Sequence, residues 1–327
     1  MKKPVWYKTD VGLNARMAIT LGAMFLLYAA FVFFLYSVLR GGLALIIIIA
    51  VGVLIFQLFT SDKVAIWSMG AQEVSEQQAP KLHAMVERLA QQTNLPKPKI
   101  AIARNGAPNA FATGRDQKHA VICVTTSLLS KLDDNQLEAV LAHEMTHILN
   151  NDMQVMTLIM FVPMLAGMLM QFLSRMFLWG AMFGGYGGGG FGGGRGRGRD
   201  NNGGALAIML LVLVGSAVVS AVSFLLTRAF SRYREFAADR GSALITGAPQ
   251  NLESALMAIS GQQVGRIPDA DLRSADAVSA FCFVPVSNFR NQDEFSELFS
   301  THPSLQHRIE RLQQIQLRME QAPRIHE

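Results

Sequence analysis

Four long apolar runs, two polar stretches and one glycine-rich loop organise the chain. The runs cover residues 17–39, 43–59, 155–173 and 204–226, and only Arg40-Gly41-Gly42 separates the first two. A helix crosses the hydrocarbon core of a bilayer with about 20 apolar residues, so the pattern predicts four transmembrane helices paired as two hairpins. The second run has 17 residues, near the lower limit, and counts as a span because it carries no charge. The first is too long for a cleaved signal peptide, lacks an A-x-A site and leads straight into another apolar run, which marks it as an anchor. The expected division is a hairpin at 1–60, a polar segment at 61–152, a second hairpin at 153–227 with the glycine-rich loop at 184–204, and a second polar segment at 228–327.

The polar segments carry the periods of a small α+β domain. Pro80 opens a helix with Leu82, Val86 and Leu89 on one face, closed near Asn94 by Pro96-Lys97-Pro98. Apolar or β-branched runs at 99–103, 109–113 and 120–126, separated by Asn105-Gly106 and by residues 114–118, predict a small antiparallel sheet beside that helix. A second helix begins at Asp133, an N-cap with Gln136 at the third helical position, and carries Leu137, Val140, Leu141, Glu144 and Ile148 on and around one face. The fold class is α+β, mostly helical, with four transmembrane helices.

Composition agrees with a chain of two characters. Half of the residues are hydrophobic and 16% are charged, with a mean hydropathy of +0.26. That is too apolar for an ordinary soluble domain and too charged for a bundle of spans alone. Lys2, Lys3, Lys8 and Arg16 precede the first run and Lys63 follows the second, against Arg40 between them, which predicts a cytoplasmic N-terminus with both polar segments on the same side. Arg175, Arg195, Arg197 and Arg199, between the last two runs, pull the other way. Either the first hairpin dominates or the second pair does not fully cross, and both leave the polar segments together. The Arg-Gly repeats of the loop read as a solvated tether. With no Walker, dinucleotide or zinc-finger pattern, the expected partner is the lipid bilayer and not nucleic acid, and the net charge of +5 is explained by membrane-flanking cations. Cys123 and Cys282 stand alone, as reduced thiols. Met164, Met168 and Met170 read as lipid-facing or packing residues.

The candidate chemistry lies in His143-Glu144-Met145-Thr146-His147. Two imidazoles four residues apart share a helix face and can reach one metal ion, while the glutamate between them addresses water. A pair of histidines alone is more often core or surface than ligand; the intervening glutamate, in a chain with seven histidines, favours a zinc hydrolase. Catalytic zinc usually takes three protein ligands, so one must come from elsewhere. Glu235 and Asp239, again four apart, follow the last apolar run. His147 lies eight residues before Val155 and Glu235 nine after Leu226. On unbroken helices both then sit roughly 12 to 13 Å from the membrane edge.

Together with Pro108-Asn109-Ala110-Phe111-Ala112-Thr113-Gly114, Asn151-Asp152-Met153, Arg232-Tyr233-Arg234-Glu235-Phe236-Ala237-Ala238-Asp239 and Thr301-His302-Pro303, the motif resembles the HtpX-type proteases, membrane-integrated gluzincins related to the CAAX prenyl proteases. The resemblance spans nearly the whole chain and departs from the commonest form in the length of the glycine loop. It implies a zincin-like cytoplasmic catalytic domain holding one zinc ion through His143, His147 and Glu235, with Asp239 orienting a ligand histidine. Glu144 would take a proton from water and return it to the leaving amine. Asn109, Ala110 and Phe111 would face the substrate, and His302 would stabilise the oxyanion or act as a regulatory ligand. The implied substrates are misfolded or damaged polypeptides of a bacterial cytoplasmic (inner) membrane, in quality control and stress response, with the active site facing the cytoplasm. A monomer and a homo-oligomer both stay open. Two other readings are an intramembrane site-2-type protease, which the polar residues at 133–138 and 150–152 oppose, and a non-catalytic zinc scaffold or sensor, for which no cysteine offers a fourth ligand. Arg308 reads as a residue of a structural ion pair, Arg232 and Arg234 as membrane-flanking or structural, and His83, His119, His307 and His326 as surface residues.

Overall fold

The computed structural model describes residues 10–39, 43–183, 201–260 and 302–321. The Arg40-Gly41-Gly42 turn, the basic residues before Asp10, the arginines at 195–199 with most of the glycine-rich loop, Cys282, Thr301 and His326 lie outside the described residues. In chain order the elements are α1 (Val11–Leu39), α2 (Leu43–Ser68), β1 (Ala71–Glu73), α3 (Pro80–Thr93), β2 (Lys99–Ala103), β3 (Ala110–Thr113), a 3-10 turn (Gln117–His119), β4 (Val121–Thr125), α4 (Thr126–Lys131), α5 (Asp134–Leu149), α6 (Asp152–Phe183), α7 (Asn201–Thr246), α8 (Pro249–Ser260) and α9 (Leu305–Gln321). The chain forms two compact units, one of residues 20–55 and 158–227, the other of residues 1–19, 56–157 and 228–327.

The first unit is a bundle of apolar helices. Phe31 and Leu35 of α1, Ala166 of α6, and Val212 and Val219 of α7 form its core. The Tyr28 hydroxyl donates to the Ile159 carbonyl at 2.8 Å. Outside it, Phe25, Phe33, Phe172 and Val214 are exposed, as side chains facing lipid are. Among the described residues, α1, α6 and α7 contain stretches long and apolar enough to cross a membrane, and α2 adds a fourth only across a 54° bend between residues 51–60 and 62–68. Thr60 Oγ1 donates to the Phe56 carbonyl at 2.6 Å, the side-chain competition that bends helices.

The second unit is built around a four-stranded sheet of order β1-β2-β4-β3. The sheet is mixed, not purely antiparallel as the strand pattern suggested: β1 with β2 and β3 with β4 are antiparallel, but β2 with β4 is parallel. After β2 the chain passes over to the far edge, forms β3, and turns back into β4, which therefore runs in the direction of β2. Alternation along the strands serves two cores. Ile100, Ala110, Ala112, Ile122 and Val124 pack with α3, α5 and α8. Ala101, Ala103, Phe111, Val121 and Cys123 pack with Ala65, near the end of α2, and with Met69 just after it.

Two local features set where α5 begins and ends. Gln136 N donates to Asp133 Oδ1 at 2.9 Å and Asp133 N to Gln136 Oε1 at 3.1 Å, a complete capping box. At the other end the helix does not run on into the apolar segment. Asn150 caps α5, Asn151 takes the left-handed conformation at φ 58°, and α6 starts afresh at Asp152. Equal heights for His147 and Glu235 require an unbroken helix here, which the break removes, whereas α7 is continuous through Glu235 and Asp239.

Between β3 and β4, Gly114 has φ 138°, and a Cβ there would stand 2.5 Å from the His119 carbonyl oxygen. Both the conformation and the backbone contact exclude a side chain. Gly114→Ala is expected to destabilise this unit by about 1–3 kcal/mol, read as a lowered thermal midpoint in detergent; an unchanged midpoint would show that the turn relaxes freely.

Candidate metal centre

α5 presents His143 and His147 one turn apart with Glu144 beside the first, all buried. α7 brings Glu235 and Asp239 to them because the two helices cross on small residues. A Cβ at Gly241 would overlap Thr146 Cγ2 and Oγ1. Beside it, Ser242 Oγ donates to the Ala139 carbonyl at 2.6 Å, and Ala238 and Ala243 are fully buried.

At this crossing His143 Nε2 and His147 Nε2 lie 3.1 Å apart. Glu235 Oε2 is 3.5 Å from His143 Nε2 and Glu235 Oε1 is 3.6 Å from His147 Nε2. Ligands held tetrahedrally at 2.0–2.1 Å from zinc stand roughly 3.3 Å apart, so the three residues fit one such ion. Each imidazole is gripped from behind. His143 Nδ1 faces Asp239 Oδ1 at 3.0 Å, and His147 Nδ1 meets Asp152 Oδ2 at 2.7 Å. A proton on each Nδ1 leaves the Nε2 lone pairs turned towards the shared centre.

The centre is densely charged. Glu144, Asp152, Glu235 and Asp239 are buried with Arg234 and Arg308. Four carboxyl groups against two guanidinium groups make a centre suited to a cation. Burial would lower the pKa of His143, but the Asp239 and Glu235 carboxylates outweigh burial and raise it to about 9. Glu235 pays the cost of burial too, yet His302, His143 and Arg234 hold it well below the usual carboxylate range. Glu144 goes the other way. Burial raises its pKa, and neither of its oxygens has a hydrogen-bond partner among the described residues.

The structure brings the remaining sequence candidates to different places. His302 is buried with Nδ1 3.3 Å from Glu235 Oε2, so it joins the centre. Asn109 is taken up in holding the entry to β3, its carbonyl accepting from Thr125 N at 2.9 Å and its Oδ1 from Ala110 N at 2.9 Å. Ala110 packs with the core that includes α5, while the Phe111 side chain packs on the other face of the sheet. His83 is half-buried rather than on the surface, its Nε2 3.0 Å from the Val74 carbonyl. His119 pairs with Asp116 and His307 with Ser304. Burial pushes the Cys123 thiol up to about 12, which keeps it protonated.

The sequence motifs alone do not show Asp152 as the partner of His147. The signal was Asn151: a left-handed turn directly after the motif helix swings the next side chain back on it. The motifs also leave Arg234 as structural or membrane-flanking, whereas its Nη2 donates to Glu235 Oε1 at 2.9 Å.

The sequence profile of peptidase family M48 matches residues 76–316, which include every residue of this centre. The chain belongs to peptidase family M48. Consistent with that membership, it is 47% identical over 315 residues to the "Protease HtpX homolog" of Moorella thermoacetica, covering 96% of this chain and 97% of that one. It is 40% identical over 319 residues to "Protease HtpX homolog 1" of Streptomyces coelicolor, covering 97% of each. The crystal structure of S. mikatae Ste24p shares the fold, with a TM-score of 0.51 at 16% identity over 93% of this chain and 66% of that longer one. The HtpX-type resemblance read from the motifs thus holds along nearly the whole length. As an M48 peptidase with apolar helices of spanning length, the chain is a membrane metalloprotease, which removes the scaffold reading.

Proposed function

We propose that the chain is a zinc endopeptidase of the cytoplasmic membrane that cuts misfolded or damaged membrane and cytoplasmic-face polypeptides as part of stress-linked quality control. The observation that carries the zinc reading is the convergence of His143 Nε2, His147 Nε2 and a Glu235 carboxylate oxygen within 4.8 Å of one another, with Glu144 buried beside them. Zinc, when bound, supplies Lewis acidity that lowers the pKa of water and polarises a peptide carbonyl. The protein does the rest. Glu144 takes a proton from the attacking water, holds it in its buried carboxyl group and delivers it to the leaving amine. Asp239 and Asp152 fix the ring directions of His143 and His147. His302, with Nδ1 turned to Glu235, has Nε2 as the nitrogen that would donate to the oxyanion.

β3 supports an extended substrate through its backbone. It is the terminal strand in the sheet order and runs beside α5, so a polypeptide can add to it by strand pairing. Since Phe111 faces the second core, strand pairing rather than an aromatic contact would give the affinity, which suits an enzyme acting on unfolded chains of varied sequence. The intramembrane alternative is disfavoured because α5 belongs to the core around the sheet and not to an apolar spanning helix.

A chelation experiment tests the reading. Full-length protein in detergent should lose cleavage of unfolded casein on treatment with 1,10-phenanthroline and recover it with added zinc but not magnesium. Undiminished cleavage by metal-free protein overturns it. Comparing the proteins that accumulate in membranes holding active or Glu144→Gln enzyme tests the substrate class, and labelling of Gly190→Cys from the outer side tests the topology.

A further inference from the structure

We propose that Arg308, on the C-terminal helix α9, is a positioning residue of the metal centre: its guanidinium locks Asp239, and through Asp239 it sets the His143 ring. Arg308 Nη2 donates to Asp239 Oδ1 at 2.6 Å and Nε to Oδ2 at 2.9 Å, a two-pronged clamp. The same Asp239 Oδ1 stands 3.0 Å from His143 Nδ1, and Arg308 Nη1 reaches to 4.0 Å from Glu235 Oε2. Residues from α9, α7 and α5 are therefore linked in one line that ends on the ring of a ligand histidine.

The two ligand histidines show why this arginine is needed. His147 leans on Asp152, the first residue of α6, where the unsatisfied amides of a helix N-terminus favour a negative charge. His143 leans on Asp239, deep inside α7, where the backbone amides are spent on the helix. Arg308 does for Asp239 what the helix end does for Asp152. Docking of α9 alone does not call for an arginine. Leu312 is fully buried with Leu305 and Ile315 packed beside it, and an apolar residue at 308 would dock the helix at least as well as a desolvated charge pair. The buried arginine, 2% exposed, is explained by what it holds.

This inference rests on the zinc reading of the site, and its test separates the two. Zinc affinity is measured by competition with a chromophoric chelator on full-length protein, alongside the visible absorption of the cobalt-substituted form. Arg308→Gln is expected to weaken zinc binding about 10- to 100-fold, to change the cobalt spectrum, and to lower kcat with little change in KM. Arg308→Lys keeps the charge without the fork and should recover part of the affinity. In an Asp239→Asn background Arg308→Gln should cost little more, because the route through Asp239 is already cut. Wild-type affinity and spectrum in Arg308→Gln, or an equal loss in the Asp239→Asn background, overturns the proposal. Should Arg308→Gln not fold, Arg308→Lys decides alone: an unaltered spectrum and affinity overturn it. Wild-type protein that binds no zinc through His143, His147 and Glu235 would defeat the zinc reading instead.

Discussion

Glu144→Gln is expected to hold zinc as wild type does and to lose between about 10²- and 10⁴-fold in the rate of casein cleavage. The substitution keeps the shape of the side chain and removes its ability to accept a proton. Glu144 stands apart from the three ligands, because both of its oxygens lack hydrogen-bond partners among the described residues while His143, His147 and Glu235 face one another. Its burial, which raises its proton affinity, makes it a better base than an exposed glutamate would be. Losing it should therefore strike catalysis and spare metal binding. Zinc content and initial rates on the same purified sample check this; a Glu144→Gln enzyme within a few-fold of wild type would remove Glu144 from the mechanism.

Gly241→Val is expected to weaken both stability and zinc binding from a residue that touches neither metal nor substrate. In an exposed helix, replacing glycine by alanine gains up to about 1 kcal/mol. Here the sign reverses. Even a Cβ would overlap the Thr146 side chain, whose Oγ1 is fixed to the Ala142 carbonyl at 2.8 Å, so α5 and α7 must move apart. Overpacking of this kind costs about 1–3 kcal/mol, and because α7 carries Glu235, the separation draws the third ligand away from two histidines that stay on α5. Zinc affinity should fall at least roughly tenfold, in line with other losses of support around a site. Gly241→Ala combined with Thr146→Gly moves the missing volume across the crossing and should restore both zinc and thermal stability. If the paired variant behaves no better than Gly241→Ala alone, the close approach is not what sets the site.

What the sequence displayed follows the range of the forces involved. The motif histidines and the Asp133–Gln136 cap are local, since helical periodicity alone dictates which positions share a face and which amides need a cap. Glu235 and Asp239 carry the same four-residue spacing, and a family resemblance paired them with α5. The crossing that joins them depends on Gly241 and Ser242, whose small size leaves no pattern in hydrophobicity. β1 was invisible for a related reason: three residues, half-buried or exposed, are too few to show alternation. The parallel pairing of β2 with β4 is a property of how the chain returns, not of any strand's composition. Asn150 and Asn151 counted only as polar residues against an intramembrane site, and their consequence, a helix break that turns Asp152 onto His147, needed a backbone angle of the wrong sign for an ordinary residue. Arg308 was legible as an ion-pairing residue, but its partner lies 69 positions away.

The central claim is that one zinc ion is held where α5 and α7 cross. Diffraction from crystals of the full-length protein, recorded on both sides of the zinc absorption edge, tests it most directly. The account predicts one anomalous peak per chain, about 2.0–2.1 Å from His143 Nε2 and His147 Nε2 and about 2.0–2.2 Å from a Glu235 carboxylate oxygen. A peak bound elsewhere, or one that leaves Glu235 out of its ligands, would contradict it.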